Sequence, residues 1–450
     1  MMPTSCHAPI AVFACRWCAL LGAERAGRER LALPPEIRLF PVSCAGNVSQ
    51  DAILTAFANG ARGVAVLGCH IGGCRHNEAN VSAQARLTLL ADTLAAVGID
   101  RRRLAVAWGT AHEAKAYAEL LQTFSRELET LPPLPDLFAH ATDASALAPG
   151  SFPEDPDQDE ALRAEARKAL AAGKVLLGLA RLGSNTIPEL FTRDSDVTQL
   201  VAGAKYPLAK LAGTLLYERA RGELAPQGAH QSLRAEAFAL KEQPLCIACR
   251  PCDARALFSL ASLHRFAPEN LDLIPLVCSP AQRSACACAD PDWPDINARE
   301  KEQEKDMVAS EPLPASENLS ANLAFWQKHF SRCMLCHSCR TACPVCICPE
   351  CALDNAAHFP SARDTSSPLL YHLARALHVA DVCVQCGACE QACPRQLPLL
   401  TLHKAVAKGL SRMGYSAARD LPSPLRRAHK NPDAPQWLDS LKGGPHASLS

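Results

Sequence analysis

The 450-residue sequence has no excess of charge: Lys and Arg total 46, and so do Asp and Glu. That balance removes the basic field by which nucleic-acid binders hold phosphate, so neither DNA nor RNA is expected as a main partner. No uncharged apolar run approaches the roughly 18–20 residues that span a bilayer. The N-terminus lacks a basic segment ahead of its apolar stretch, so no secretory signal is expected and the expected location is cytoplasmic. No two glycines stand one residue apart, which excludes the G-x-G-x-x-G turn of an ordinary dinucleotide fold, and no Walker A run is present. Apolar residues at 48% and charged residues at 20% describe a globular chain. At roughly 150 residues per domain, about three domains are expected.

What the sequence does have is cysteine, 23 in all, with eleven between Cys333 and Cys393. An odd total without a secretory signal argues against a disulfide framework and for metal binding. The segment CMLCHSCRTACP places Cys333, Cys336, Cys339 and Cys343 before Pro344. CVQCGACEQACP repeats it with Cys383, Cys386, Cys389 and Cys393 before Pro394. Both match C-x2-C-x2-C-x3-C-P, the run of two-cluster bacterial ferredoxins, in which the fourth thiolate crosses to the other cluster. By that rule Cys333, Cys336, Cys339 and Cys393 hold one 4Fe-4S cluster, and Cys383, Cys386, Cys389 and Cys343 the second. Zinc is the competing metal, but it prefers two separated C-x2-C pairs around one ion.

Between the runs, PVCICPEC adds Cys346, Cys348 and Cys351, either ligands of a further cluster or a thiol-rich loop beside the first. A helix follows in SSPLLYHLARALHVADV, with Ser367 as cap, Pro368 in the first turn and a stripe of Leu369, Leu373 and Leu377. His372 and His378 on it read as satisfied or exposed histidines rather than ligands. The basic residues Lys404, Lys408, Arg412 and Arg419 read as a solvated face.

Residues 9–130 alternate strand and helix: PIAVFACRW, IRLFPVSC, RGVAVLGC and LAVAWG (104–109) are strands, and 50–59 and 81–97 are helices. The alternation predicts an open parallel sheet with flanking helices. Cys15, Cys44 and Cys69 each fall at the carboxyl end of a strand, the edge where such sheets bind ligands. Cys18 and Cys74 follow in the adjoining loops, and the pair Gly72 and Gly73 frees the second loop. Four of these five thiols suffice for a 2Fe-2S cluster; a zinc site with four thiolates is the alternative. His70 is not needed as a ligand, and Cys6 reads as bystander chain. The fragment 1–130 is expected to fold alone.

Residues 131–160 and 291–322 read as linkers. Between them, 161–290 is a second α/β domain, with strands in GKVLLGLAR, PLCIACRP and DLIPLVCS and a helix capped by Asp253. Here Cys246, Cys249 and Cys252 stand at three-residue spacing, Cys278 ends the last strand, and CAC supplies Cys286 and Cys288. These six either form an additional cluster site, shared with Cys346, Cys348 and Cys351, or are leftover thiols of a degenerate flavin-binding domain. The expected architecture is α/β throughout, closed by a two-cluster ferredoxin-type module over 323–410 and a tail over 411–450.

FACRWC, PVSCAGNV and LGCHIGGC resemble the cysteine motifs of the delta subunit of methyl-viologen-reducing hydrogenase. CRPCDARAL, HLARALHVA and CVQCGACEQACP resemble the beta subunits of deazaflavin-dependent hydrogenase and formate dehydrogenase. The first resemblance implies one 2Fe-2S cluster and delivery of electrons to a heterodisulfide-reductase-like flavoprotein subunit. The second implies donors such as a hydrogenase, formate dehydrogenase or NADH-oxidising subunit, and FAD in some members. The expected function is an electron-transfer subunit of an oxidoreductase complex in an anaerobe, with no substrate-turnover site of its own. The alternatives are a self-contained flavin-dependent reductase acting on NADH or a deazaflavin, and a non-redox zinc scaffold.

Overall fold

The computed structural model describes residues 8–76, 79–134, 153–183, 185–203, 205–224, 230–263, 265–267, 272–288, 290–293, 318–348, 351–354 and 368–413. Cys6, Ser367, Arg419, most of both linkers and nearly all of the tail lie outside them.

The first sheet contains β1 (Ile10–Cys15), β2 (Ile37–Val42), β3 (Gly63–Cys69) and β4 (Leu104–Gly109), at the four expected apolar runs. All pairings are parallel, in the order β2-β1-β3-β4. The order therefore reverses between β1 and β3, which creates a crevice at their carboxyl ends. β3 is buried along its whole length, as a central parallel strand covered on both faces must be. Flanking helices run over Ala19–Arg28, Gln50–Ala58, Ala79–Ala96 and Ala114–Glu129. Ser49 starts the second of these by accepting the Ala52 N–H at 3.1 Å.

The second sheet holds β5 (Val175–Leu182), β6 (Asn185–Phe191), β7 (Leu200–Val201), β8 (Leu245–Cys249) and β9 (Asp272–Pro275). β5, β8 and β9 are the three expected strands and run parallel. The antiparallel partners of β5, β6 and β7, have no counterpart in the sequence reading. Two boundaries differ. The helix expected from Asp253 spans Pro251–Ser262, and Asp253 is its third residue, accepting the Arg250 N–H at 3.4 Å. β9 stops at Pro275, so Cys278 lies in the loop beyond the strand.

The C-terminal module has helices Leu319–Phe330, Ser338–Thr341, Pro368–His378, Ala388–Gln391 and Leu399–Arg412. Pro368–His378 is buried on every side except at His378, where one Leu stripe was expected, because it lies against helices Gln50–Ala58, Leu319–Phe330 and Leu399–Arg412. Lys408 and Arg412 are exposed, as a solvated face requires. Among the described residues no helix is long and apolar enough to cross a membrane.

The module does not stand apart from the first sheet. One apolar core runs from Ile10 through Leu90 and Trp326 to Leu410. The Trp326 indole donates to the Ala96 carbonyl at 3.2 Å, and His378 meets Asp51 at 2.9 Å. Helix Ala79–Ala96 is consequently buried on more than its sheet-facing side. The fragment 1–130, expected to fold alone, would expose that second face.

Gly98 follows this helix with φ +88°, and a Cβ there would strike the Leu319 carbonyl and the Leu323 amide. Gly60 has nearly the same φ, +86°, with open space around it. Gly60→Ala should therefore cost about 1 kcal/mol, the left-handed penalty alone. Gly98→Ala should cost more, on the order of 2–4 kcal/mol, because overpacking adds to that penalty. Denaturant unfolding of the full chain measures both. Equal losses would mean that the helix at 319–330 does not seat on this turn.

Candidate metal centres

At the switch crevice, Cys15 and Cys69 end neighbouring strands with their Sγ atoms 3.7 Å apart. Cys44, past the end of β2, caps the short turn Ala45–Asn47 and accepts the Gly46 N–H at 3.3 Å. Cys18 reaches Cys69, and Cys74 reaches Cys44, so all five expected thiols come together. The hydrogen bond from Cys69 pulls the Cys15 thiol down to about 5 and pushes Cys69 up in turn. Burial raises Cys44. The contact favours a thiolate at Cys15, the form that binds metal. His70 pairs with Glu113 at 3.5 Å.

Two residues missed in the sequence organise this crevice. The Asn80 amide donates to the carbonyls of Cys69 and His70 at 2.9 and 2.8 Å, fixing the loop between the thiols. Arg86 donates to the Gly46 carbonyl at 2.6 Å and sits in the field of Cys44. Neither belongs to a motif, and both act from a helix start or face far along the chain.

In the C-terminal module the two cysteine runs adopt the same loop. Leu335 and His337 in one, and Gln385 and Gly387 in the other, take left-handed φ values of 50°, 60°, 50° and 70°. The thiols group across the runs. Cys333 lies in the field of Cys339, Cys393 and Cys336, Cys389 in that of Cys343, Cys383 and Cys339, and Cys386 also faces Cys343. The neighbouring of Cys333 with Cys393 and of Cys389 with Cys343 therefore links the two runs.

Arg375, only 2% exposed, stands between the sets. Its Nη2 donates to the Cys339 carbonyl at 3.0 Å and its Nη1 lies 3.1 Å from His403 Nε2. Burial opposes its charge, but Cys343, Cys389, Cys346 and Cys339 hold its pKa well up. His403, driven down to about 3 by burial and Arg375, is neutral and accepts. His372 is buried, held neutral by desolvation, stacked on Phe330 at 4.7 Å, and 3.4 Å from Cys333 Sγ through Nε2. It is a satisfied histidine, as expected, and its partner is a thiol.

The remaining nine thiols do not form one group. Cys348 is exposed, and Cys346 hydrogen-bonds Cys343. Cys246 and Cys249 are an odd number of residues apart on β8, so they point to opposite faces and join different cores. Cys252, Cys278, Cys286 and Cys288 line a common cavity. Among the described residues, no three His, Cys, Asp or Glu side chains are already drawn around a single metal-ion position. The fit to clusters therefore rests on donor chemistry: sets of four or five thiols, buried or half-buried except at Cys336, beside cations and N–H groups.

A parallel sheet with a thiol-lined switch crevice, joined to a doubled cysteine module, defines an iron–sulfur protein of the kind found in oxidoreductase complexes. Residues 10–132 match the family described as methyl-viologen-reducing hydrogenase, delta subunit, and the chain belongs to that family through this region. An iron-sulfur subunit of the F420-non-reducing hydrogenase of Archaeoglobus profundus is 36% identical over 124 residues, 28% of this chain and 90% of that protein. A subunit of the ferredoxin/F420H2-dependent CoB-CoM heterodisulfide reductase of Methanosarcina acetivorans is 31% identical over 125 residues. The beta subunit of the F420-dependent formate dehydrogenase of Methanocaldococcus jannaschii is 35% identical over 95. Those alignments cover 16% and 25% of the two relatives, and 28% and 21% of this chain. The resemblance to both hydrogenase and formate dehydrogenase subunits is thereby borne out.

Proposed function

We propose that the chain is an electron-relay subunit of a cytoplasmic oxidoreductase complex. Electrons enter from a hydrogenase, formate dehydrogenase or NADH-linked partner and leave from the N-terminal site to a heterodisulfide-reductase-like flavoprotein. The thiols Cys333, Cys336, Cys339 and Cys393 hold one 4Fe-4S cluster, and Cys383, Cys386, Cys389 and Cys343 a second. Four of Cys15, Cys18, Cys44, Cys69 and Cys74 hold a 2Fe-2S cluster. Such clusters supply one-electron transfer without bond-making. The reading is supported by the neighbouring of Cys333 with Cys393 and of Cys389 with Cys343, from opposite runs, beside the single buried guanidinium of Arg375.

The protein's own residues tune these sites. Arg375 places positive charge beside both thiol sets, which favours their reduced, more negative state. The His372 imidazole donates its Nε2–H to the Cys333 thiolate and favours the reduced state of that set alone. At the N-terminal site, Trp17 and Phe40 stay 39% and 47% exposed beside the Cys15–Cys18 loop and its edge strand. This aromatic rim, with the Arg75 guanidinium 4.1 Å from the Trp17 ring, suits a protein partner brought close to the crevice.

Three outcomes test the reading. In EPR spectra of the anaerobically reduced chain, Cys336→Ala and Cys393→Ala should remove the same 4Fe-4S signal, and Cys343→Ala the other. Loss of different signals by Cys336→Ala and Cys393→Ala would break the crossed assignment. Potentiometric titration should show both 4Fe-4S midpoints lowered in Arg375→Met but only one in His372→Phe. Phe40→Asp should slow electron delivery to the flavoprotein several-fold at unchanged iron content; an unchanged rate would move the exit elsewhere.

A further inference from the structure

The two cysteine loops share a backbone path but not a neighbourhood. In the second loop Val384 and Cys386 are each 9% exposed. The second α/β unit covers it: the Lys205 ammonium donates to the Cys386 carbonyl at 2.6 Å, and a Cβ at Gly387 would strike Ala287. The equivalent residues of the first loop are Met334 and Cys336. Met334 is 58% exposed, and Cys336 is exposed although it belongs to a thiol set. His337 stands where Gly387 does, with nearly the same φ, and its Nδ1 lies 3.1 Å from the Tyr371 hydroxyl. One turn is thus closed by the chain itself in one copy and left open in the other.

The charges differ with the cover. Residues 328–341 hold Lys328, Arg332 and Arg340 and no Asp or Glu. The equivalent stretch 378–391 holds Asp381 and Glu390 and no Lys or Arg. The acidic copy is the one that an ammonium of the same chain meets. In the basic copy, Arg340 pairs with Asp354 at 2.6 Å, whereas among the described residues no carboxylate pairs with Lys328 or Arg332. Arg332 donates to the Arg395 carbonyl at 2.5 Å, and Lys328 is exposed in the last turn of the helix that leads into the loop. Cations at such a border draw in an acidic partner and orient it. One exposed methionine inside a basic border is a small contact. Permanent subunit interfaces are larger and more apolar, and small ones belong to short-lived electron-transfer encounters.

We propose that the open first loop, bordered by Lys328, Arg332 and Arg340, is the docking surface for a small acidic one-electron carrier protein. Electrons enter the relay there, at the set of Cys333, Cys336, Cys339 and Cys393. The inference rests on the relay reading and adds the point of entry and the kind of donor. One electron leaves the carrier's reduced centre, which is oxidised, and arrives at the first set, which is reduced. No bond is made or broken and no proton moves. The second set, covered by the second α/β unit, receives the electron inside the chain.

The test mixes full-length protein, purified anaerobically, with a reduced acidic bacterial two-cluster ferredoxin in a stopped-flow instrument. The second-order rate of cluster reduction should fall roughly tenfold from low to high salt, as steered association does. At low salt, Lys328→Glu and Met334→Glu should each slow it on the order of tenfold, with iron content, EPR signals and midpoints unchanged. Lys328→Arg should keep the rate of the intact chain. Lys115→Glu makes the same charge change on the exposed face of helix Ala114–Glu129 and should slow reduction by less than about twofold. Unchanged rates in both Lys328→Glu and Met334→Glu would overturn the docking surface while leaving the relay standing. A slowed rate matched by a lowered midpoint of the Cys336-dependent signal would also overturn it, because the cations would then serve the cluster alone. Reduction by dithionite but not by the ferredoxin would overturn the acidic carrier. Absence of any cluster signal would overturn the relay itself.

Discussion

Thiolate sulfur brought out of water needs positive charge and N–H donors close by, and the interior of this protein is arranged around that need. Arg375 sits among thiols of both cysteine runs, and Lys205 joins the second run to a further group of cysteines. Ordinary core packing would not tolerate a guanidinium at 2% exposure without compensation. Here the compensation comes from sulfur, together with a backbone carbonyl and a histidine kept neutral by burial. The helices Pro368–His378 and Leu399–Arg412, which carry Arg375 and that histidine, are buried on most sides.

The same demand binds the parts of the chain together. In the hydrogenase relative from Archaeoglobus profundus, the matched region makes up nearly the whole protein. Here helices from 319–412 of the same chain cover the helix Ala79–Ala96, and His378 pairs with Asp51 across the junction. The ferredoxin-type module also reaches the second α/β unit, where the Ser259 hydroxyl of the helix Pro251–Ser262 donates to the Val382 carbonyl at 3.2 Å. It lies against both α/β units and gives the chain a shared interior, which a relay between sites in different units requires.

Much of this was legible in the sequence because it is written locally. Short Val- and Leu-rich runs marked seven of the nine strands, and three-residue thiol spacing marked both cysteine loops. β6 escaped because Pro188 breaks its pattern, and a proline is tolerated there only because the strand is at the sheet edge. Cys246 was grouped with Cys249 and Cys252 because loop spacing was applied to residues that lie on a strand, where an odd separation reverses the face. Asn80, Lys205 and Arg375 gave no signal of their role, since each acts on thiols or carbonyls distant in sequence. Only the fold brings them together.

The claim on which the account stands is that this chain carries iron–sulfur clusters of two kinds. Mössbauer spectroscopy of the full-length wild-type protein, enriched in 57Fe and held anaerobically, tests it most directly. The account predicts a dominant 4Fe-4S component and a separate, smaller 2Fe-2S component that the same preparation reduces reversibly. A single kind of cluster would contradict the N-terminal assignment. A spectrum without cluster iron, from protein loaded with zinc, would contradict the account as a whole.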